Sequence, residues 1–156
     1  MNQRGGGAWH AFIWQDGILR DLGHLGGGWA LAYAVNATGH VVGVSVASDF
    51  TYHAFRWHQG RMTDLTEASG GALSWAQDIN LAGEIVGYGP SQLDHDSHAV
   101  RYDHGKTAIL SDEVEDLGDW KLDRAWFIND RGDITGLGSR SDGYHWFMLV
   151  RQRGAP

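Results

Sequence analysis

Cysteine is absent from the sequence, and so are long apolar runs. Without cysteine the chain forms no disulfides, offers no thiol nucleophile and supplies no cysteine ligands to a metal, and its redox compartment is left open. No apolar run approaches the roughly 20 residues of a membrane-spanning helix. The first seven residues lack the apolar core of a signal peptide. We therefore expect no membrane span, and no secretion signal on the chain as written.

Basic clusters are lacking as well. Lysine and arginine number 12 against 19 aspartates and glutamates, which gives a net charge of −7 at pH 7. Binding to a phosphate backbone requires a positively charged stripe on the protein surface. We therefore expect no nucleic-acid partner.

Glycine and tryptophan are abundant, with 23 and 8 residues in a chain of 156. The glycines are scattered at turn positions, a pattern that suits short strands joined by tight turns. The length and a hydrophobic fraction of 42% are ordinary for one globular domain. We therefore treat residues 1–156 as a single domain.

One phrase recurs along the chain and sets its organisation. It reads His-Ala-Phe-Ile-Trp from His10, His-Ala-Phe-Arg-Trp from His53, His-Ala-Val-Arg-Tyr from His98 and His-Trp-Phe-Met-Leu from His145. The spacings between these four repeat histidines are 43, 45 and 47 residues. Alternate residues of the phrase are apolar, as in a β-strand, and each of the first three is followed by a two-residue turn and a second strand. A period near 44 predicts a repeat architecture.

A second phrase keeps the same period. Asn36, Asn80 and Asn129 each precede a glycine by three residues and follow an alanine by four, and a further glycine comes seven residues after each asparagine. Asparagine begins such a turn by bonding to its own backbone, and glycine accepts the left-handed conformation that ends it. The phrase predicts a tight turn between two further strands of each unit.

Together the two phrases predict an all-β, propeller-like array of four-stranded antiparallel blades. The units span about 29–66, 73–110 and 122–153, after a half unit at 9–22. Closed propellers typically need 4–8 blades, so we expect an incomplete ring, a ring completed by oligomerisation, a piece of a longer array or an open stack. The half unit leaves an uncovered sheet edge, which predicts a homo-oligomer formed through that edge.

The sequence resembles the HAF repeat, a family named for its His-Ala-Phe start. Residues 10–43 match best and include Asp21-Leu22-Gly23-His24-Leu25-Gly26-Gly27, the second unit matches well, and the third diverges at Ala108-Ile109-Leu110. The resemblance implies a propeller-like β fold in proteins that are usually extracellular. It implies no known activity.

The stretch most like a metal site is Asp94-His95-Asp96-Ser97-His98. Calcium would take Asp94, Asp96 and backbone carbonyls, whereas zinc would prefer His95 and His98. A solvated loop explains the same residues without a metal. The repeat histidines occur once per unit, so we interpret them as structural groups that bond to a neighbouring strand.

Four tryptophans fall in the connections that lead to the inner strands: Trp29, Trp75, Trp120 and Trp126. Exposed, they would stack on sugars or other flat ligands; packed between units, they would need no ligand. Packing is the interpretation that we favour, and ligand binding stays open.

The leading functional hypothesis is a non-catalytic binding module for a small molecule, a carbohydrate or a protein, because every strong signal serves the fold. The alternative is a small calcium- or zinc-dependent hydrolase of esters or lactones, built from residues 94–98 and the acidic run 111–119. A calcium-stabilised structural domain is a third hypothesis. No spacing in the sequence selects a nucleophilic triad.

Overall fold

Short antiparallel strands make up most of the chain in the computed structural model, which describes residues 9–90 and 97–152. The strands found in these ranges are β1 Phe12–Gln15, β2 Ile18–Asp21, β3 Gly26–Val35, β4 Val41–Ala47, β5 Tyr52–His58, β6 Arg61–Asp64, β7 Trp75–Ile79, β8 Ile85–Pro90, β9 Ser97–Asp103, β10 Lys106–Ile109, β11 Lys121–Ile128, β12 Ile134–Arg140 and β13 Gly143–Leu149. A four-residue helix, α1 Leu65–Ala68, follows β6, and a 3₁₀ helix occupies Leu110–Glu113. Strands account for 58% of the structure and helices for 6%, which confirms the all-β prediction.

Neighbours in sequence are neighbours in each sheet. In the described ranges the strands form four antiparallel sheets, β1-β2, β3-β4-β5-β6, β7-β8-β9-β10 and β11-β12-β13. We call them the first, second, third and fourth sheets. The fourth has three strands in the part of the chain that is described, where the sequence pattern predicts four. No closed barrel or propeller ring is detected in residues 9–90 and 97–152.

Two-residue turns close the hairpins that contain the repeat phrase. Both central residues of each turn have positive φ, as the type I′ turn of a tight hairpin requires. The pairs and their φ values are Asp16 and Gly17 at 53° and 77°, Gln59 and Gly60 at 48° and 85°, and His104 and Gly105 at 46° and 84°.

Close backbone approach explains the glycine that follows each asparagine turn. Gly43, Gly87 and Gly136 pair across the sheet with Ala32, Ala76 and Ala125, and a bulge follows each pair on the partner strand. A Cβ atom on these glycines would lie 2.0, 1.8 and 2.1 Å from the carbonyl oxygens of Leu31, Trp75 and Arg124. A side chain therefore has no room at any of the three positions.

Three hydrophobic clusters lie between successive sheets, so the sheets stack face to face in chain order. Ala11 and Leu22 of the first sheet region pack with Phe55 and Trp57 of the second. The next cluster joins the second and third sheets, and includes Val42, Ala54, Ala76 and Val100. The last joins the third and fourth sheets, and includes Val86, Ala99, Leu122 and Ala125. Each of the two middle sheets therefore buries both of its faces.

The asparagine turns connect one sheet to the next. Asn36 Nδ2 donates to the carbonyl of Asn80 at 3.0 Å, and Asn80 Nδ2 donates to the carbonyl of Asn129 at 3.2 Å. The side-chain oxygen of each asparagine accepts backbone N–H bonds within its own turn. One residue type thus shapes the turn and bonds successive sheets. No helix within the described ranges is long and apolar enough to cross a membrane.

Candidate functional site

Five aromatic side chains form a continuous row across three sheets, and we call them the aromatic row. Ring centroids are 5.7 Å apart for Trp29 and Tyr52, 5.1 Å for Tyr52 and Trp75, 5.8 Å for Trp75 and Tyr88, and 6.1 Å for Tyr88 and Trp126. Trp75 and Tyr88 are parallel to within 6°. These spacings are those of interacting aromatic pairs, so the row is one connected surface.

The pairing register of the strands and one β-bulge determine where the side chains of the aromatic row lie. Trp75 begins β7 and pairs directly with Tyr88 of β8, so these two rings are cross-strand neighbours. Tyr52 begins β5 of the preceding sheet and meets Trp75 across the interface between the sheets. Trp126 lies at the bulge between Ala125 and Phe127, which turns its side chain out of the regular alternation.

An open cleft of about 760 Å³ runs along the middle of the row. Tyr52, Trp75, Tyr88 and Tyr144 line it. About half of Tyr52 and three-quarters of Tyr144 are exposed. Polar groups share the lining with the rings: Thr51, Ser74, Ser97, Ser139, Asp123 and Arg124. The cleft therefore combines ring faces with hydroxyl, carboxylate and guanidinium groups.

Arg124 and the tyrosines set the electrostatics of the cleft. The Arg124 guanidinium carbon lies 5.0 Å from the centroid of the Tyr88 ring, within the range of a cation–π contact. Burial raises the pKa of Tyr88, although Arg124 and a hydrogen bond with Gln77 act in the opposite direction. Tyr33 does not line the cleft, but burial and then the nearby Tyr88 raise its pKa as well. Both phenols therefore stay neutral near pH 7 and can donate or accept hydrogen bonds.

The sequence-predicted tryptophans separate into two places. Trp29, Trp75 and Trp126 belong to the aromatic row. Trp120 lies elsewhere: its ring stacks edge-on with His145 at 5.2 Å, and the Arg140 guanidinium covers it at 5.1 Å. The cation occupies one face of the Trp120 indole, and this side chain does not line the cleft.

Sequence reasoning missed the two tyrosines that complete the row. Tyr52 immediately precedes His53, and Tyr88 immediately follows Gly87. Their positions relative to the repeated phrases were a usable signal, because a residue beside a strand phrase lies in known register with its neighbours. Tyr144 holds the same place before His145 and also lines the cleft, whereas Val44 and Leu137 follow the glycines that correspond to Gly87. The repeat therefore singles out the place of Tyr52 but not that of Tyr88.

The predicted metal stretch is described only at its end. Asp94, His95 and Asp96 lie outside the described residues, and His98 lies in β9, where it pairs with Gly89 of β8. Elsewhere, in residues 9–90 and 97–152, no group of three or more histidine, aspartate or glutamate side chains is placed to hold a metal ion. Calcium or zinc binding at 94–98, and the hydrolase hypothesis that depends on it, stay predictions.

Two repeat histidines bond to an aspartate on the adjacent strand. His10 Nδ1 lies 2.6 Å from Asp21 Oδ2, and His53 Nδ1 lies 2.6 Å from Asp64 Oδ2. The backbone N–H of Gly23, and then His10, lower the pKa of Asp21, so this carboxylate is ionised and the imidazole N–H donates. His145 bonds instead through Nε2 to Asp142 at 2.9 Å. These contacts are local and structural.

A second cluster of charges is centred on Glu84, which is 8% exposed. Arg101 Nη1 and Arg151 Nη1 each lie 3.3 Å from its carboxylate oxygens, and Asn80 Nδ2 donates to it at 2.7 Å. Burial alone would raise the pKa of Glu84, but the bonds from Arg151 and Asn80 outweigh it and hold the pKa below its ordinary value. Arg101 also pairs with Glu113 of the acidic run. The carboxylate is fully engaged in holding strands together.

Comparison with known proteins adds no assignment. No protein-family model, no curated protein and no solved structure matches this chain. The resemblance to the HAF repeat therefore stays a prediction. The aromatic cleft has to be interpreted from its own geometry and chemistry.

Proposed function

We propose that the chain is a non-catalytic binding module of HAF-like β repeats, and that the aromatic cleft binds a carbohydrate. In this proposal the sheets are blades of a propeller-like array. The consecutive antiparallel strands, the face-to-face stacking of the sheets and the Ala–Gly pair that recurs in three of them support that architecture. The observation that supports carbohydrate binding is the row of ring faces along the open cleft.

Sugar rings match this surface in two ways. Their C–H faces are apolar and stack on indole and phenol rings, while their edges carry hydroxyl groups that need hydrogen-bond partners. Tyr52 and Trp75 supply adjacent ring faces, 5.1 Å between centroids and tilted by 35°. Ser74, Asp123 and Arg124 lie beside them in the lining. A few polar groups among apolar walls are what orient a ligand in a binding site.

The length of the row favours a chain of sugars over a single one. Tyr52, Trp75 and Tyr88 line the cleft at successive centroid separations of 5.1 and 5.8 Å, and Trp29 and Trp126 extend the row beyond the cleft lining at 5.7 and 6.1 Å. The cleft is open along its side and holds about 760 Å³, which falls within the range of ligand sites. A nucleotide fits less well because the protein carries a net charge of −7. We therefore infer an uncharged or cationic oligosaccharide.

Binding to a panel of immobilised and soluble oligosaccharides tests the proposal. A ligand found on the panel is titrated by calorimetry into the wild-type chain and into Trp75→Ala and Tyr52→Ala variants. Each variant should bind at least tenfold more weakly, because 1.4 kcal/mol of lost stacking is a factor of ten.

Trp120→Ala is the matched control, since it removes an indole outside the cleft. It should leave the affinity unchanged. An equal loss in Trp120→Ala and Trp75→Ala, or no binding to any sugar on the panel, would contradict carbohydrate binding in this cleft.

A further inference from the structure

Large apolar side chains are exposed at both ends of the stack of sheets. On the outer face of the first sheet, Phe12 and Trp14 are 64% and 68% exposed. Trp14 pairs across the hairpin with Leu19, which is 62% exposed. We call these three residues the first face. A contiguous apolar surface of this kind on a folded protein marks an interaction site.

The residues of the first face have buried counterparts in the next two sheets. Phe12 corresponds in the repeat phrase to Phe55, and Trp14 corresponds to Trp57. Phe55 and Trp57 are 0% and 5% exposed, because they pack on the sheet that precedes theirs. Val100 and Tyr102 of the third sheet are buried against the second sheet in the same way. The first face is therefore a sheet-packing surface that lacks its preceding sheet in the described chain.

At the opposite end of the stack, the outer side of the fourth sheet presents the complementary surface of such a sheet-packing interface. Phe127, Trp146 and Met148 lie on the outer side of the fourth sheet and are 60%, 67% and 66% exposed. We call them the last face. In the repeat phrase Trp146 corresponds to Ala54 and Ala99, which are fully buried against the sheet that follows theirs. The last face is therefore a sheet-packing surface with no following sheet among the described residues.

A shallow pocket on the last face offers room for an incoming side chain. It holds about 210 Å³, and Phe127, Thr135 and Met148 are among the residues that line it. Phe127 and Met148 both stand opposite Thr135 in the strand register, so the three side chains share one side of the sheet. An aromatic side chain from another sheet can enter between them.

We propose that the first face of one copy of this chain docks on the last face of another, continuing the stack of sheets from molecule to molecule. The partner is a second copy because each face has the character of one side of the interfaces that already join the sheets within the chain. The two faces differ from each other, so the contact is heterologous: it closes a ring or extends as a filament, according to the rotation between copies.

The available area fits a modest interface. Burying an aromatic side chain removes about 150–250 Å² from water, so three side chains that are about two-thirds exposed offer roughly 300–500 Å² on each face. A standard interface buries about 800 Å² on each partner, and somewhat more than half of that is apolar. We therefore expect association that depends on protein concentration.

Sedimentation equilibrium and light scattering from about 1 µM to about 1 mM test the proposal, since this range spans the dissociation constants of small interfaces. The variants Trp14→Glu and Trp146→Glu each place a charge on one face. Wild-type chain should form species larger than a monomer, and each variant alone should remain monomeric. A mixture of the two should form a one-to-one dimer and nothing larger, because it contains one intact first face and one intact last face.

Phe50→Glu is the matched control, because Phe50 is 83% exposed, lies in the turn between β4 and β5 and belongs to neither face. This variant should leave association unchanged. Circular dichroism verifies that each variant is folded, and Leu19→Glu with Met148→Glu serves as a second pair if either tryptophan variant is not. A wild-type chain that is monomeric throughout would overturn the proposal. So would monomers from only one of the two variants, which indicates a self-complementary contact. Association that survives in both variants would overturn it as well, and would favour pairing through a sheet edge.

Discussion

His53 Nδ1 lies 2.6 Å from Asp64 Oδ2, and the other oxygen of that carboxylate caps helix α1. Asp64 Oδ1 accepts the backbone N–H groups of Thr66 at 2.9 Å and Glu67 at 3.1 Å. The side chains of His53 and Asp64 are 15% and 18% exposed. His53, the repeat histidine of the second sheet, thus holds Asp64 in place at the end of β6, where Asp64 caps helix α1.

A double-mutant cycle on His53→Ala and Asp64→Ala should give a coupling energy of about 1.5–3 kcal/mol, the value of a hydrogen bond to a charged group. Asp64→Ala alone should cost about 1 kcal/mol more than His53→Ala, because it also removes the helix cap. The free energy of unfolding from urea titrations measures both quantities.

The pair His10 and Asp21 is the matched control, because the same atoms lie at the same 2.6 Å but the side chains are 44% and 55% exposed. Solvent weakens such a pair to about 0.2–1 kcal/mol. Equal coupling energies in the two cycles would show that burial does not determine the strength of the histidine–aspartate hydrogen bond.

Gly87→Ala tests the close approach between β7 and β8. The new Cβ would lie 1.8 Å from the Trp75 carbonyl oxygen, so the strands would have to separate. We expect a loss of about 3 kcal/mol in the free energy of unfolding, at the upper end of overpacking effects. The melting temperature, followed by circular dichroism, reports it. Trp75 also belongs to the aromatic row, so the Gly87→Ala variant should weaken binding of the proposed oligosaccharide.

Gly60→Asn provides the comparison for Gly87→Ala. Gly60 has φ of +85° and nothing within 4 Å of its Cβ position, and asparagine tolerates this conformation. Gly60→Asn should therefore cost less than Gly87→Ala, at most about 1–2 kcal/mol. A similar cost at both positions would mean that lack of space does not explain Gly87.

The hairpins were predictable from sequence because their signals are local. Asp16-Gly17 and Gln59-Gly60 adopt the positive φ values that tight hairpins require, whatever surrounds them. The antiparallel all-β fold follows from such turns and from alternating apolar residues.

The aromatic row was only partly predictable because it depends on contacts between sheets. Tyr52 meets Trp75 across an interface whose geometry no single strand determines. Trp120, like Trp75, lies where a connection leads into an inner strand, yet Arg140, twenty residues further along the chain, covers its ring. Tryptophan positions alone therefore did not separate the side chains of the aromatic row from Trp120.

Glu84→Gln should destabilise the protein by about 2 kcal/mol at pH 7, since hydrogen bonds to a charged group contribute about 1.5–3 kcal/mol. The folded pKa of Glu84 is lowered, chiefly by Arg151 and Asn80 against the opposing effect of burial. Its contribution is therefore fully present above the unfolded pKa of about 4.3 and is lost as the pH falls through the folded pKa. The difference in unfolding free energy between wild type and Glu84→Gln should shrink below about pH 4.

The exposed Glu115→Gln variant controls for the loss of one negative charge. It should change the free energy of unfolding by less than about 0.5 kcal/mol at either pH. A wild-type to Glu84→Gln difference that stays constant down to pH 3 would contradict the assigned role of the Glu84 carboxylate.

His40 should titrate below the ordinary histidine pKa of about 6.5. Burial lowers its pKa first, and the stacked ring of His58, with a centroid separation of 3.8 Å, lowers it further, as does Arg56. Because the folded pKa is depressed, the contribution of His40 to stability is present above about pH 6.5 and is lost as the pH falls through the folded value. The imidazole proton shifts of His40, followed by NMR from pH 8 to pH 4, measure this pKa directly. In His58→Ala the pKa of His40 should rise but stay below 6.5, because burial persists; an unchanged pKa would show that the stacked ring has no electrostatic effect on His40.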